Sequence, residues 1–224
     1  MSTDARNSRL AATAMLVLAL AGCVVRPTWR GDEAAAYDVL NRSTIALLEI
    51  DRDALAGPLG ASLRHACAVL VFPGKVDGVH PAPGTCGDGV LLVRDGPTGR
   101  WTGPAFYALR RRDGDAGPAP GEHADVHRWL IALGCDALHP LYAGGGSATA
   151  ATIELDDAAD MTAWSLSPRR ADRASLATMA LRPLPAFALA YYQQPASLPA
   201  IALDRSLHND ASAEILAAIR TVAN

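Results

Sequence analysis

Two stretches decide the fold: CAVLVFPG at 67–74 and GDGVLLVRDGPTGRWTGPAFYAL at 87–109. Cys67 to Phe72 is a continuous apolar run stopped by Pro73-Gly74, the pattern of a strand covered on both faces. Gly87-Asp88-Gly89 opens a second run, Val90 to Arg94. The turn Asp95-Gly96-Pro97-Thr98-Gly99 then returns the chain to Arg100-Trp101-Thr102 and to Ala105 through Leu109. Apolar runs joined by so short a Gly/Pro turn predict an antiparallel meander, in which neighbours in sequence are neighbours in the sheet.

Upstream of this meander, Ala36, Val39, Leu40, Leu47, Leu48 and Leu55 recur at helical spacing, so a helix is expected from Asp32, which caps it, to about residue 56, where Gly57-Pro58 stops it. A second short helix is expected over 59–66. Downstream, DGDAGPAPG at 113–121 reads as a loop. VHRWLIAL at 126–133 reads as a strand, followed by a short helix near 135–142. Further strands are expected near 148–155, 161–166 and 174–181. A C-terminal helical region begins near Ala188 and resumes at 211–222, with Pro195 and Pro199 as breaks. No repeat of solenoid length is present.

The N-terminus reads as an address. Arg6 and Arg9 precede LAATAMLVLALA at 10–21, an apolar run of 12 residues. A helix needs about 20 to span a bilayer, so this is the core of a secretory signal. It ends in Leu20-Ala21-Gly22-Cys23, the small-residue pattern of a bacterial lipobox, whose cysteine thiol is acylated before the leader, residues 1–22, is removed. Each buried methylene contributes about 0.8 kcal/mol, so several acyl chains on Cys23 hold a protein durably at a membrane. Val24 in place of aspartate points to the periplasmic face of the outer membrane. Residues 23–31 would be the tether, 32–206 the main domain and 207–224 a C-terminal helix.

Half of the 224 residues are hydrophobic and only 19% are charged, enough apolar surface for one real core and too much for wholesale disorder. A net charge of −3 argues against a nucleic-acid partner, which needs a basic face to neutralise phosphates. With Cys23 acylated, Cys67, Cys86 and Cys135 remain, an odd number in an oxidising compartment. One disulfide and one buried thiol are expected; the pairing among the three stays open, with Cys67 and Cys86 the expected pair.

No motif marks catalysis. His65, Cys67, His80, Cys86, His123, His127, Cys135 and His139 contain no C-x-x-C and no zinc-knuckle spacing, so no metal is expected. Gly144-Gly-Gly-Ser147-Ala148 lacks the second glycine of a nucleophile elbow. Gly84-x-x-Gly87-x-Gly89 matches neither a dinucleotide nor a phosphate loop, and no cofactor is expected. The uneven charge says more. Residues 94–112 hold Arg94, Arg100, Arg110, Arg111 and Arg112 against Asp95 alone, interleaved with Trp101, Phe106 and Tyr107. Guanidinium forks suit phosphate and aromatic rings suit the apolar boundary of a bilayer, so Arg100, Trp101, Phe106, Arg110, Arg111 and Arg112 are the candidate ligand-facing residues. The acidic stretch 113–125 that follows allows the plainer alternative of a salt-bridged hairpin.

Several of these motifs fall in a familiar order. Val69-Leu-Val-Phe-Pro73, Gly87-x-Gly89-Val-Leu-Leu-Val93, Thr98-Gly-x-Trp101-x-x-Pro104-Ala-Phe106, Ser165-Leu-Ser167 with the strand at 174–181, and Ala190-Tyr191-Tyr192-x-x-Pro195 with Ile201 together resemble the SYLF-domain family of lipid-binding proteins. The resemblance spans about residues 35–204. It departs from the family at Gln193, where glycine is usual after the tyrosines, and at Pro118-Ala-Pro120-Gly121 and His80-Pro-Ala-Pro83, which replace Gly-rich strands. Proline has no N–H for a ladder, so strand at 118–121 would be lost or confined to an edge. The resemblance implies a single α+β domain, an antiparallel, strongly twisted or barrel-like sheet packed with several helices, that binds phospholipid or another amphiphile without catalysis. The alternative function is an envelope lipoprotein that docks a protein partner.

Overall fold

The structure is a computed structural model that describes residues 29–74, 85–96, 98–112, 128–144, 152–157, 160–167 and 170–224. The expected leader, Cys23, the loop at 113–121, the acidic stretch to 125, His80 to Pro83, and His123 and His127 lie outside the described residues. Among the described residues three helices come first: α1 (Trp29–Leu48), α2 (Arg52–Ala56) and α3 (Pro58–His65). The strands are β1 (Ala68–Phe72), β2 (Thr85–Arg94), β3 (Trp101–Arg111), β4 (Arg128–Leu133), β5 (Ile153–Glu154), β6 (Met161–Ser167), β7 (Arg170–Ala174) and β8 (Met179–Pro183). Helix α4 (His139–Gly144) follows β4, and α5 (Pro185–Tyr192), α6 (Leu198–Ala202) and α7 (Ala213–Val222) close the chain.

All eight strands form one antiparallel sheet in the order β5-β8-β3-β2-β1-β4-β6-β7, curled strongly into a half-barrel. The fold is α+β. The expected meander is its centre: β1 pairs with β2 from Ala68↔Val93 to Val71↔Val90, and β2 with β3 from Thr85↔Arg110 to Arg94↔Trp101. On its other side β1 pairs with β4, Ala68↔Leu133 through Phe72↔Trp129. With neighbours on both edges and cover on both faces, every residue of β1 is buried, which is why its sequence is continuously apolar instead of alternating. Each such Val, Leu or Phe contributes about 1.5–3 kcal/mol by leaving water. Helices α1, α5 and α7 pack together and against the sheet, and Leu40, Leu47, Tyr191, Ile215 and Ile219 join the strand residues in one core.

Glycine is required where this core is tightest. At Gly89 a Cβ would lie 2.3 Å from the Val71 carbonyl oxygen and 2.5 Å from the Phe72 ring, so only a residue without one lets β2 lie this close to β1.

Several boundaries differ from expectation. The helix read as 32–56 is two helices: α1 starts at Trp29, inside the expected tether, and ends at Leu48, and Asp51 then caps α2 by accepting the Asp53 N–H at 2.8 Å. Leu48, assigned to the buried face, is 63% exposed, because it shares the outward side of the helix with Ile45, three residues earlier and 50% exposed. The strand expected at 174–181 is the end of β7, a turn, and the start of β8, because Asp157 accepts the Leu176 N–H and the Ser175 hydroxyl, both at 2.6 Å, and fixes a turn between them. Of the strand read at 148–155, Ile153 and Glu154 form β5, and residues 148–151 lie outside the described residues. Pro199 opens α6 instead of breaking a helix, since its missing N–H falls in the first turn, where no partner is available.

The expected cysteine pair is also corrected. Cys67 is bonded to Cys135, with Cα atoms 5.1 Å apart, and not to Cys86. Register is the reason. The Cys67 N–H donates to the Leu133 carbonyl at 2.8 Å, which brings residues 134 and 135 beside it. In β2 the residue that meets Cys67 is Arg94, whose N–H donates to the Cys67 carbonyl at 2.7 Å. Cys86 lies eight positions further along β2, roughly 26 Å away at strand rise, and no disulfide bridges Cα atoms more than about 7 Å apart.

Candidate functional site

The candidate site is built where β3 begins. Pro104 has no N–H to give the β2 ladder, and register slips here: Leu91 faces Ala105 while Val93 faces Thr102, so Gly103 and Pro104 together oppose Leu92. Gly103 takes φ +135, and a Cβ on it would approach the Leu91 carbonyl to 2.9 Å, so glycine is needed for this bulge. The buried Tyr192 hydroxyl donates to the Pro104 carbonyl at 2.9 Å and ties the bulge to the end of α5. Immediately after that, Gln193 adopts φ 57, the left-handed conformation that ordinarily favours glycine, at the position where the resemblance carries glycine.

The chain next forms α6 and returns along the bulge. Asn209 anchors this return by donating from Nδ2 to the Tyr191 carbonyl at 2.7 Å, and Ser206 N–H donates to Ala200 O at 3.1 Å. Between them Arg205 sits at φ 51, a left-handed conformation that costs an arginine roughly 1–2 kcal/mol. Its guanidinium pairs with Asp95 in the β2–β3 turn. The Thr98 hydroxyl donates to the same carboxylate; that hydrogen bond first, and then Arg205, hold Asp95 below its ordinary pKa of 3.8.

A cleft of about 270 Å³ opens between the bulge, the returning segment and α7. Arg100 and Arg205 give it cationic groups, His208 gives it an imidazole, and Trp101, Ile201, Leu207 and Leu216 give it an apolar floor. Trp101 and Ile201 are buried side chains. The Arg94 guanidinium lies 5.9 Å from the centre of the Trp101 ring, within cation–π range, and donates to the Arg64 carbonyl at 2.8 Å. His208 Nε2 is 3.0 Å from Asp210. Among the described residues no ion pair reaches the exposed Arg100 guanidinium.

The six residues proposed from sequence do not form one face. Arg100 and Trp101 meet in the cleft. Phe106 is 2% exposed and packs edge-on against Phe187 at 6.1 Å and Tyr191 at 5.4 Å; it belongs to the core and presents nothing to a ligand. Arg110, Arg111 and Arg112 lie at the far end of β3, roughly 30 Å from Trp101 at strand rise. There Arg112 donates to the carbonyls of Leu155 and Met179 and stands 3.5 Å from Glu154, knitting β3 to β5 and β8. Arg110 stands near Asp88, whose pKa is raised because burial outweighs the pull of Arg110 and Arg42.

Beyond Arg100 and β3, Ile201 is the one cleft residue that figured in the sequence pattern. Arg205, Leu207, His208 and Leu216 carried no signal, because they reach the cleft through tertiary packing a hundred residues away in sequence. Among the described residues no three His, Cys, Asp or Glu side chains are grouped to hold a metal, and no helix is long and apolar enough to cross a membrane. No family model, curated protein or solved structure matches the chain.

Proposed function

We propose that this chain is a bacterial lipoprotein, fixed by an acylated Cys23 to the periplasmic face of the outer membrane, whose α+β domain binds phospholipid or another amphiphile and performs no catalysis. The cleft carries the domain's part of the reading: cationic Arg100 and Arg205 border an apolar floor of Trp101, Ile201, Leu207 and Leu216, which complement the anionic head and the apolar tail of an acidic amphiphile. The lipobox Leu20-Ala21-Gly22-Cys23 supports the anchor, and the ordered resemblance to SYLF domains supports lipid as the ligand class.

Among the described residues every buried side chain of the core lies at Ala36 or later, so a chain starting at residue 24 keeps all of them. Co-sedimentation of residues 24–224 with vesicles tests the reading. Retention on phosphatidylglycerol vesicles that weakens with salt and with Arg100→Glu, and no retention on phosphatidylcholine, is expected, because exposed charge pairs are screened beyond about 10 Å at 0.1 M salt. Failure to bind either vesicle leaves membrane affinity to Cys23 alone and shifts the weight to the alternative, an envelope protein partner. The anchor has its own test: radiolabelled palmitate should enter the expressed protein and be lost with Cys23→Ala.

A further inference from the structure

We propose that the cleft at the start of β3 seats one anionic head group on Arg100 and one alkyl segment on the apolar strip beside it. The inference rests on the amphiphile-binding reading and narrows its ligand.

Charge bookkeeping around the cleft sets the head group. Arg205 is committed to Asp95, whose carboxylate also receives the Thr98 hydroxyl, and His208 is committed to Asp210 at 3.0 Å. Arg205 and Asp95 offset one another, and the His208 ring is occupied by its contact with Asp210. Arg100 has no such carboxylate among the described residues, and its backbone is fixed: its N–H donates to the Thr98 hydroxyl at 3.3 Å and its carbonyl accepts the Asp95 N–H at 2.8 Å. One uncommitted guanidinium on a rigid turn offers a bidentate fork to one phosphate or carboxylate.

Volume sets the chain. The cleft is open to solvent and offers about 270 Å³, below the 300–1,000 Å³ usual for drug-sized ligands. Its floor is a strip of Trp101, Ile201, Leu207 and Leu216 beside Arg100. That strip covers one short alkyl segment, and the remainder of a longer ligand would extend through the open side of the cleft.

The test uses the mature lipoprotein in phosphatidylcholine nanodiscs, titrated with octyl phosphate, inorganic phosphate or octyl glucoside below their micellar concentrations, with Trp101 fluorescence as the readout against a Trp101→Phe control. Octyl phosphate should bind at least tenfold more tightly than either comparison probe. Arg100→Gln should weaken it about tenfold, equivalent to about 1.4 kcal/mol, while Arg100→Lys, which keeps the charge, should recover much of it. Because Arg100 is exposed, neither variant disturbs the core. Equal binding of octyl phosphate and octyl glucoside would overturn the anionic head group and leave the broader amphiphile reading standing. Inorganic phosphate binding as tightly as octyl phosphate would overturn the chain. Binding of none of the three would overturn the proposal and remove the cleft from the proposed function.

Discussion

Removing the Cys67–Cys135 disulfide should destabilise the protein by an amount set by its position. The bond joins residues separated by 68 in sequence and closes a loop that contains β1 through β4, the centre of the sheet. On the loop-entropy scale, closing such a loop restricts the unfolded chain by about 4 kcal/mol at 25 °C. For a chain of 150–250 residues, each kcal/mol shifts Tm by about 2–4 °C, so Cys67→Ala with Cys135→Ala should lower Tm by roughly 8–16 °C. Non-reducing peptide mapping comes first and should recover a Cys67–Cys135 linked peptide, in wild type and in Cys86→Ala alike. Thermal unfolding with and without reductant then gives the magnitude. A peptide linking Cys67 to Cys86, or a double variant within about 2 °C of wild type, would refute both the register of β1 against β4 and the reasoning built on it.

Three further perturbations probe the bulge, the centre of the sheet and the turn before β8. Tyr192→Phe leaves the buried Pro104 carbonyl without its donor and should destabilise by about 1–3 kcal/mol in urea unfolding; an unchanged midpoint would show that the hydrogen bond does not hold the bulge. Gly89→Ala forces a Cβ into the Val71 carbonyl and Phe72 ring and should cost about 1–3 kcal/mol, read as a lower Tm, whereas a neutral result would mean β1 and β2 are not in this contact. Asp157 is held below its ordinary pKa of 3.8, first by the Leu176 N–H and then by the Ser175 hydroxyl. A depressed folded pKa contributes stability above 3.8 that is lost as pH falls through the folded value, so Asp157→Asn should be less stable than wild type at neutral pH and converge with it in strong acid. A gap that stays constant across that range would contradict the assignment.

The centre of the sheet was legible because its signal is local. Val69 to Phe72, Val90 to Val93 and Ala105 to Leu109 are apolar runs joined by a short turn, and such runs pair with their sequence neighbours. Helix ends were less legible where a side chain decides them: Asp51 starts a new helix and Asp157 fixes a turn, and neither is distinguishable in sequence from any other surface aspartate. The cysteine pairing depends on the partner strand across β1, which is β4 and not the sequence neighbour alone. The site was half legible for the same reason. Arg100 and Trp101 stood out as an arginine beside an aromatic, but strand geometry sends Arg110 to Arg112 to the opposite end of β3 and turns Phe106 into the core. The rest of the cleft arrives from α6, α7 and the segment between them.

The central claim, that the cleft at the start of β3 receives an amphiphile, is tested most directly by covalent capture. An alkyl phosphate bearing a chain-terminal diazirine would be photolysed with the purified protein in phosphatidylcholine nanodiscs, and the adducts mapped by mass spectrometry. Labelling at Trp101, Ile201, Leu207 or Leu216, suppressed by Arg100→Gln, is the predicted result. Labelling concentrated at the far end of β3, or on the exposed Ile45 and Leu48 of α1, would contradict it.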